Sequence, residues 1–330
     1  MTTTVTPSAG AAPVETFHGR GRDRWADRLF RGTATGAGLV VVAVVCLVGA
    51  FLVVRAVPAL AQNHANFLTS RVFEVDGGTL RFGIADLLWT TLVSSVLALT
   101  IAVPLAVGVA LFLTQYAPPR LAGPAAAVID LLAAVPSIVY GLWAVKVLMP
   151  YVRDDVQDPL SRALGWIPLF SDVGISSGTV LLVSIVLAIM ILPIITALSR
   201  EVFARTPRAH REAALALGAT RWETVRTTVL PFGRGGVVAA SMLGLGRALG
   251  ETVAVMIVLS TLAPGAAWSF SLLNGGETFA SRIANNAAEF DSPEKTGAFI
   301  AAGLVLFVLT FVVNAIARLV VERQARRGTA

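Results

Sequence analysis

The sequence predicts an all-α integral membrane protein with six transmembrane helices, and three observations carry that reading. The 330 residues are 55% hydrophobic and only 14% charged, where a soluble domain of this size holds roughly a quarter charged residues. A helix crossing ~30 Å of hydrocarbon needs about 20 mostly apolar residues, and six segments meet that need: 32–54, 87–119, 121–149, 173–199, 235–262 and 296–317. The basic residues are also distributed by side. With six spans both termini share a side, and that side holds 17 Lys and Arg residues against seven in the opposite connections. The bias of short loops toward Lys and Arg on the inner face then predicts cytoplasmic termini and a cytoplasmic 200–234 loop.

Each segment adds to the picture. Residues 1–31 read as a cytoplasmic, largely disordered tail, rich in Thr, Ala, Pro and Gly and ending in arginines rather than in a small-residue cleavage site, so the span after it is retained. Residues 32–57 form a peripheral first helix, 58–84 an external loop, 85–320 the core, and 321–330 a cytoplasmic tail. Ten acidic residues, Asp76 and Asp172 among them, fall on the outer connections, as a solvated face or a docking surface would require. Cys46, the lone cysteine, excludes a disulfide framework. His18, His64 and His210 are scattered with no metal-ligand spacing. The positive charge belongs to span ends, which argues against nucleic acid as the partner. Pro104, Pro136 and Pro193 are expected to kink their spans.

The 200–234 loop carries helix punctuation. Thr206 suits an N-cap and Pro207 a first helical position, so a helix is expected to about Leu217, stopping at Gly218. Thr220 and Glu223 then form a capping box that starts a second short helix, which Pro231 ends. Ala213, Ala214 and Leu217 give the first helix an apolar strip, and Trp222 with Val225 do so on the second. A rigid contact for a partner and an interfacial helix on anionic lipid both fit this pattern.

Two of the spans hold charge. Asp130, near one end of its span, reads as a local pairing or capping residue, and Lys146 as a snorkelling one. Arg247 falls ~18 Å into a helix counted from Gly235, near the midplane, and Glu251 follows at i+4 on the same face. Charge at that depth faces a cavity or a partner. Two readings remain open: a packing ion pair among Gly244, Gly246 and Gly250, or a site where Arg247 offers its planar fork to an oxyanion while Glu251 neutralises it between passages.

Glu212-Ala213-Ala214, Gly218 four residues on, and Leu230-Pro231 resemble the EAA loop of ABC-importer permeases, with Thr228 in place of an isoleucine. GLGRALGET (Gly244–Thr252) and VPSIVYGLW (Val135–Trp143) are similar to the phosphate-specific, PstC-type subgroup. The resemblance covers roughly residues 85–320. It implies a type I (MetI-like) permease architecture on spans 2–6 and a bacterial cytoplasmic membrane protein. It also implies a substrate path through Arg247 and Glu251, and docking to an ATPase through Glu212, Ala213, Ala214, Gly218, Leu230 and Pro231.

The chain lacks a G-x-x-x-x-G-K-[ST] string, and H-E-x-x-H and C-x-x-C are missing too. No catalytic residue, metal site or cofactor is therefore expected in this chain, and ATP and Mg belong to partner subunits. The implied partners are a second, PstA-type permease, a dimer of PstB-type ATPases, a PstS-type external phosphate-binding protein and the bilayer. An importer for sulfate or molybdate, a transporter driven by an ion gradient, and a membrane sensor are the alternatives to phosphate import.

Overall fold

The computed structural model describes residues 21–75, 79–171, 177–262 and 269–327. The tail at 1–20 and the acidic residues Asp76 and Asp172 lie outside the described residues. The chain forms two compact units, Met1–Phe51 and Leu52–Ala330.

Helix α1 (Gly21–Ala61) begins in the first unit and is longer than the predicted 32–54 span. No proline separates the arginine-rich stretch from the apolar one, and one helix runs through both. Leu39, Val40, Val41 and Val42 are all more than half exposed, and a helix apolar on every side in this way suits lipid.

In the second unit the end of α1 leads to a short antiparallel pair, β1 (Phe73–Glu74) and β2 (Arg81–Phe82). Helices α2 (Ala85–Tyr116), α3 (Pro119–Ala133), α4 (Ser137–Leu164), α5 (Val180–Ala204), α6 (Arg208–Ala216), α7 (Arg221–Leu249), α8 (Val253–Val258), α9 (Phe279–Asn285) and α10 (Pro293–Arg327) follow. Among the described residues five helices are long and apolar enough to cross a membrane, or six if α3 and α4 count as one span bent by 92°.

The core is a close packing of α2, α5 and α7. Ala98, Ala102, Ala106 and Ala110, spaced one turn apart on α2, are fully buried. Their small side chains let the branched residues of α5, among them Leu187, Ile191 and Ile195, come close to the α2 backbone. On α7 glycine does the same: a β carbon at Gly233 would lie 2.4 Å from the Phe203 ring, at Gly236 2.4 Å from Val202, and at Gly244 2.8 Å from Ile195. Of the three glycines expected to bring helices together only Gly244 does so. A β carbon at Gly246 would meet nothing within 4 Å, and at Gly250 only the Gly246 carbonyl at 3.6 Å.

Proline explains the irregular turns. Four π turns, Phe112–Tyr116, Ala144–Leu148, Val152–Gln157 and Val225–Val229, each stop two residues short of a proline: Pro118, Pro150, Pro159 and Pro231. Proline has no N–H and collides with the carbonyl four residues back, and a widened turn ahead of it relieves both problems. At Pro136 no such turn forms, and the span breaks into α3 and α4. Helices α2 and α5 continue through Pro104 and Pro193.

The end of the bundle away from the 200–234 loop is closed by irregular backbone. Leu181 N–H donates to Leu272 O at 2.8 Å, Val180 N–H to Asn274 O at 2.9 Å, and Leu272 N–H to Leu169 O at 2.8 Å. Phe67, Phe73, Phe82 and Phe299 stack beside them, and the Arg282 guanidinium sits 4.9 Å over the Phe73 ring. Arg282 also pairs with Glu277.

The glycine contacts separate a packed face of α7 from an open one. Gly233→Val should destabilise the chain by about 1–3 kcal/mol through overpacking against Phe203. Gly246→Ala should stay within about 0.5 kcal/mol of the parent. Thermal unfolding of the two variants in detergent checks the contrast.

Candidate functional site

Arg247 lies in the last turn of α7. Gly244, one turn earlier, packs on Ile191 and Ile195 in the middle of the 25-residue α5. Arg247 therefore emerges inside the apolar thickness, as its sequence position predicts. Its pairing does not follow the prediction. The helix stops at Gly250, and Glu251 and Thr252 are non-helical before α8 begins. The expected i,i+4 geometry needs a continuous helix, and among the described residues no ion pair joins Arg247 to Glu251. The Glu251 carboxylate instead accepts from the Ala254 N–H at 3.2 Å and caps α8. The buried Arg247 Nε has no hydrogen-bond partner among the described residues. Two glycines in the last two turns, Gly244 and Gly246, weaken the helix by up to about 1 kcal/mol each, and Gly250 follows at its end; the carboxylate just beyond finds a better use as a cap for the next helix.

A second break lies alongside. At the α3–α4 bend the Tyr140 hydroxyl donates to Leu132 O at 2.9 Å, tying the start of α4 to the end of α3. Helix α4 packs on α8, with a β carbon at Gly141 placed 3.2 Å from Ala254 Cα. The Val135–Trp143 string thus packs, through Gly141, on the helix that directly follows Gly244–Thr252. Each string contributes a helix break.

The 200–234 loop is built largely as its punctuation predicts. Gly218 has φ +84°. Ala219 N–H donates to Ala214 O at 3.1 Å and Gly218 N–H to Leu215 O at 3.0 Å, which is the Schellman closure of α6. The Thr220 hydroxyl accepts from Glu223 N–H at 3.3 Å, while Glu223 accepts from Thr220 N–H at 2.7 Å. Three details differ. Helix α6 starts at Arg208, and Thr206 is buried with its hydroxyl unpaired instead of capping. Pro231 does not end the second helix, because the π turn ahead of it lets α7 run on from the loop into the membrane span. Val225 joins Ala110, Leu111, Phe203 and Val229 in a core cluster instead of an exposed strip.

The predicted docking residues divide. Glu212, Ala213 and Gly218 are exposed and Ala214 is half-buried, with Leu217 at 90% and Trp222 at 56% exposure beside them. Leu230 packs on the Val225–Val229 cluster, and Pro231 lies at the start of the span proper. The Thr228 hydroxyl donates to Thr224 O at 2.6 Å, so the residue that departs from the motif is satisfied within its own helix. Asp130 pairs with Arg200 at 3.2 Å, joining α3 to α5. Both residues stand out in the sequence as charges near span ends, but their separation by 70 positions hides the pairing.

Residues 102–326 match the family described as binding-protein-dependent transport system inner membrane component. The chain belongs to this family. It is 56% identical over 299 residues to the phosphate transport system permease protein PstC 2 of Mycobacterium tuberculosis, covering 89% of this chain and 91% of that one. It is also 56% identical to PstC of Mycobacterium leprae, covering 89% and 93%, and 38% identical to PstC of Mesorhizobium japonicum, covering 92% of both. The permease chain of an inward-facing MetNI methionine ABC transporter superposes with a TM-score of 0.53 at 16% identity, covering 72% of this chain and 94% of that one. This last likeness shows the fold, the MetI-like architecture expected from the loop motif. A family member of this kind is a multi-pass membrane subunit of a larger transport system.

The capping box is a local support for the loop. Thr220→Ala should cost α7's first turn about 1 kcal/mol. Amide exchange at Glu223 and Thr224 should then quicken roughly fivefold while the global unfolding temperature changes little, as read by hydrogen exchange.

Proposed function

We propose that this chain is the permease subunit of an ATP-driven importer that carries inorganic phosphate inward across the cytoplasmic membrane. The observation that carries the reading is Arg247: a permanent positive charge within the apolar thickness, its Nε buried and unpaired, its expected carboxylate engaged elsewhere. A charge so placed costs on the order of 2.5–3.5 kcal/mol or more, and an entering oxyanion offsets that cost by accepting two parallel hydrogen bonds from the guanidinium. The match to relatives named for phosphate transport selects phosphate among oxyanions.

Loading and release follow from the break. While Glu251 caps α8, Arg247 is free to bind. Continuation of α7 through Gly250 would bring Glu251 to i+4, where its carboxylate competes for the guanidinium and expels the anion. Arg247 and Glu251 are the substrate-path residues, and the break between them sets which state holds.

The 17-to-7 distribution of basic residues supports a cytoplasmic side for the termini and the loop. There the exposed face of Glu212, Ala213, Leu217 and Trp222 meets one subunit of an ATPase dimer. Because α7 continues from that loop to Arg247 as one helix, a push on the loop reaches the substrate path without crossing a flexible joint. A second, homologous permease completes the path, and an external phosphate-binding protein delivers the anion.

Uptake of labelled phosphate by proteoliposomes holding the whole complex tests this. Arg247→Gln should lower uptake at least about tenfold, the worth of a charged hydrogen bond, and Arg247→Lys should restore part of it. Unchanged uptake in the glutamine variant would remove Arg247 from the path, and uptake of sulfate in preference to phosphate would change the substrate. Gly218→Val forces a left-handed residue to carry a branched side chain. It should uncouple ATP hydrolysis from uptake while phosphate still binds.

A further inference from the structure

Basic side chains gather in the joint between the loop and α2. A cleft of about 400 Å³ opens there, lined by Arg208, Arg211 and Glu212 of α6, Arg221 of α7, and Gln115 and Tyr116 at the end of α2. Three guanidiniums face it against one carboxylate. The Arg208 and Arg221 side chains make no hydrogen bond or ion pair among the described residues. Arg211 reaches the Gln115 Oε1 at 3.5 Å, and the Gln115 Nε2 is buried without an acceptor among the described residues. A buried, unpaired donor beside a threefold excess of positive heads describes a site that lacks its acceptor.

We infer that this cleft binds a phosphate-bearing anion, either free inorganic phosphate or the headgroup of an anionic lipid. A tetrahedral anion accepts from several directions at once, and guanidinium forks suit it better than they suit a lone carbonyl. The space is large enough for the anion with part of its hydration shell. Glu212 on the rim limits affinity, so the site answers to concentrations at which the anion is plentiful. An anion seated here would link α6, the first turn of α7 and the end of α2, the three elements whose relative motion the loop must transmit. The binding itself does not depend on the transport reading above. Its effect on coupling does.

The experiment uses the full-length chain carrying Arg247→Gln, so that binding at the span is removed, in nanodiscs of zwitterionic lipid, with equilibrium binding of labelled inorganic phosphate as the readout. Arg208→Gln with Arg221→Gln should weaken binding at least about fivefold, the lower end expected for losing two exposed charged donors. Arg226→Gln changes the loop's charge outside the cleft and should leave binding as it was. Nanodiscs of phosphatidylglycerol separate the sources: if they suppress phosphate binding through the same two arginines, the headgroup is the occupant, and if they do not, free phosphate is. The inference is overturned if neither phosphate nor anionic lipid depends on these arginines, if Arg226→Gln weakens binding as much as the double variant, or if the double variant keeps anion binding and loses only its hold on the ATPase subunit. Loss of the transport reading would appear instead as unchanged uptake in Arg247→Gln, a result that does not involve the cleft.

Discussion

Within hydrocarbon every peptide N–H and C=O must find its partner inside the protein, and this requirement shapes the whole second unit. Proline and glycine test it repeatedly. Where a proline interrupts a helix near a span end, a π turn two residues ahead absorbs the lost hydrogen bond and the helix continues. Where no such turn forms, at Pro136 and at Gly250, the helix breaks, and side chains supply the missing partners: the Tyr140 hydroxyl for Leu132 O and the Glu251 carboxylate for Ala254 N–H. Polar side chains thus enter the bundle where the backbone needs them. The candidate path for an anion lies at those two places.

Packing divides the unit into a rigid part and a less embedded one. Alanines on α2 and glycines on α7 bring both helices close to α5, and substitutions there meet ring or branched side chains at once. Helix α3 buries none of its residues and is joined to α5 by the Asp130–Arg200 pair, an interaction that is modest where both groups are partly exposed. In a complex of two homologous permeases α3 and the open face of Gly246 and Gly250 are surfaces that a neighbour can cover without disturbing the core. The continuous α7 belongs to the rigid part, which suits a lever from loop to path.

Much of this was legible in the sequence, and the part that was not has a common cause. Span positions, the Gly218 bend and the Thr220–Glu223 box depend on residues within four or five positions of each other, so local patterns reveal them. The end of α7 at Gly250 also depends on local chemistry, but the apolar run continues past it to residue 262 and hides it. The role of Pro231 was misleading because proline usually ends a helix, and the π turn that rescues it leaves no mark in composition. Tyr140 with Leu132, Asp130 with Arg200, and Arg211 with Gln115 were out of reach for another reason. Each pairing is fixed by how helices bend or pack, which no spacing rule encodes.

The separation of Arg247 from Glu251 bears most directly on transport. An arginine permanently neutralised by a carboxylate one turn away would attract an anion weakly, since the entering charge would have to displace one already bound. An arginine with no carboxylate within reach would hold the anion and release it slowly. A helix that can either stop at Gly250 or run through it gives the same two residues both arrangements, one with the guanidinium open and one with it paired. In the proposed cycle the Glu251 carboxylate has a partner in each state, a backbone N–H in one and a guanidinium in the other. A push along α7 from the proposed docking loop would then have only to choose between them.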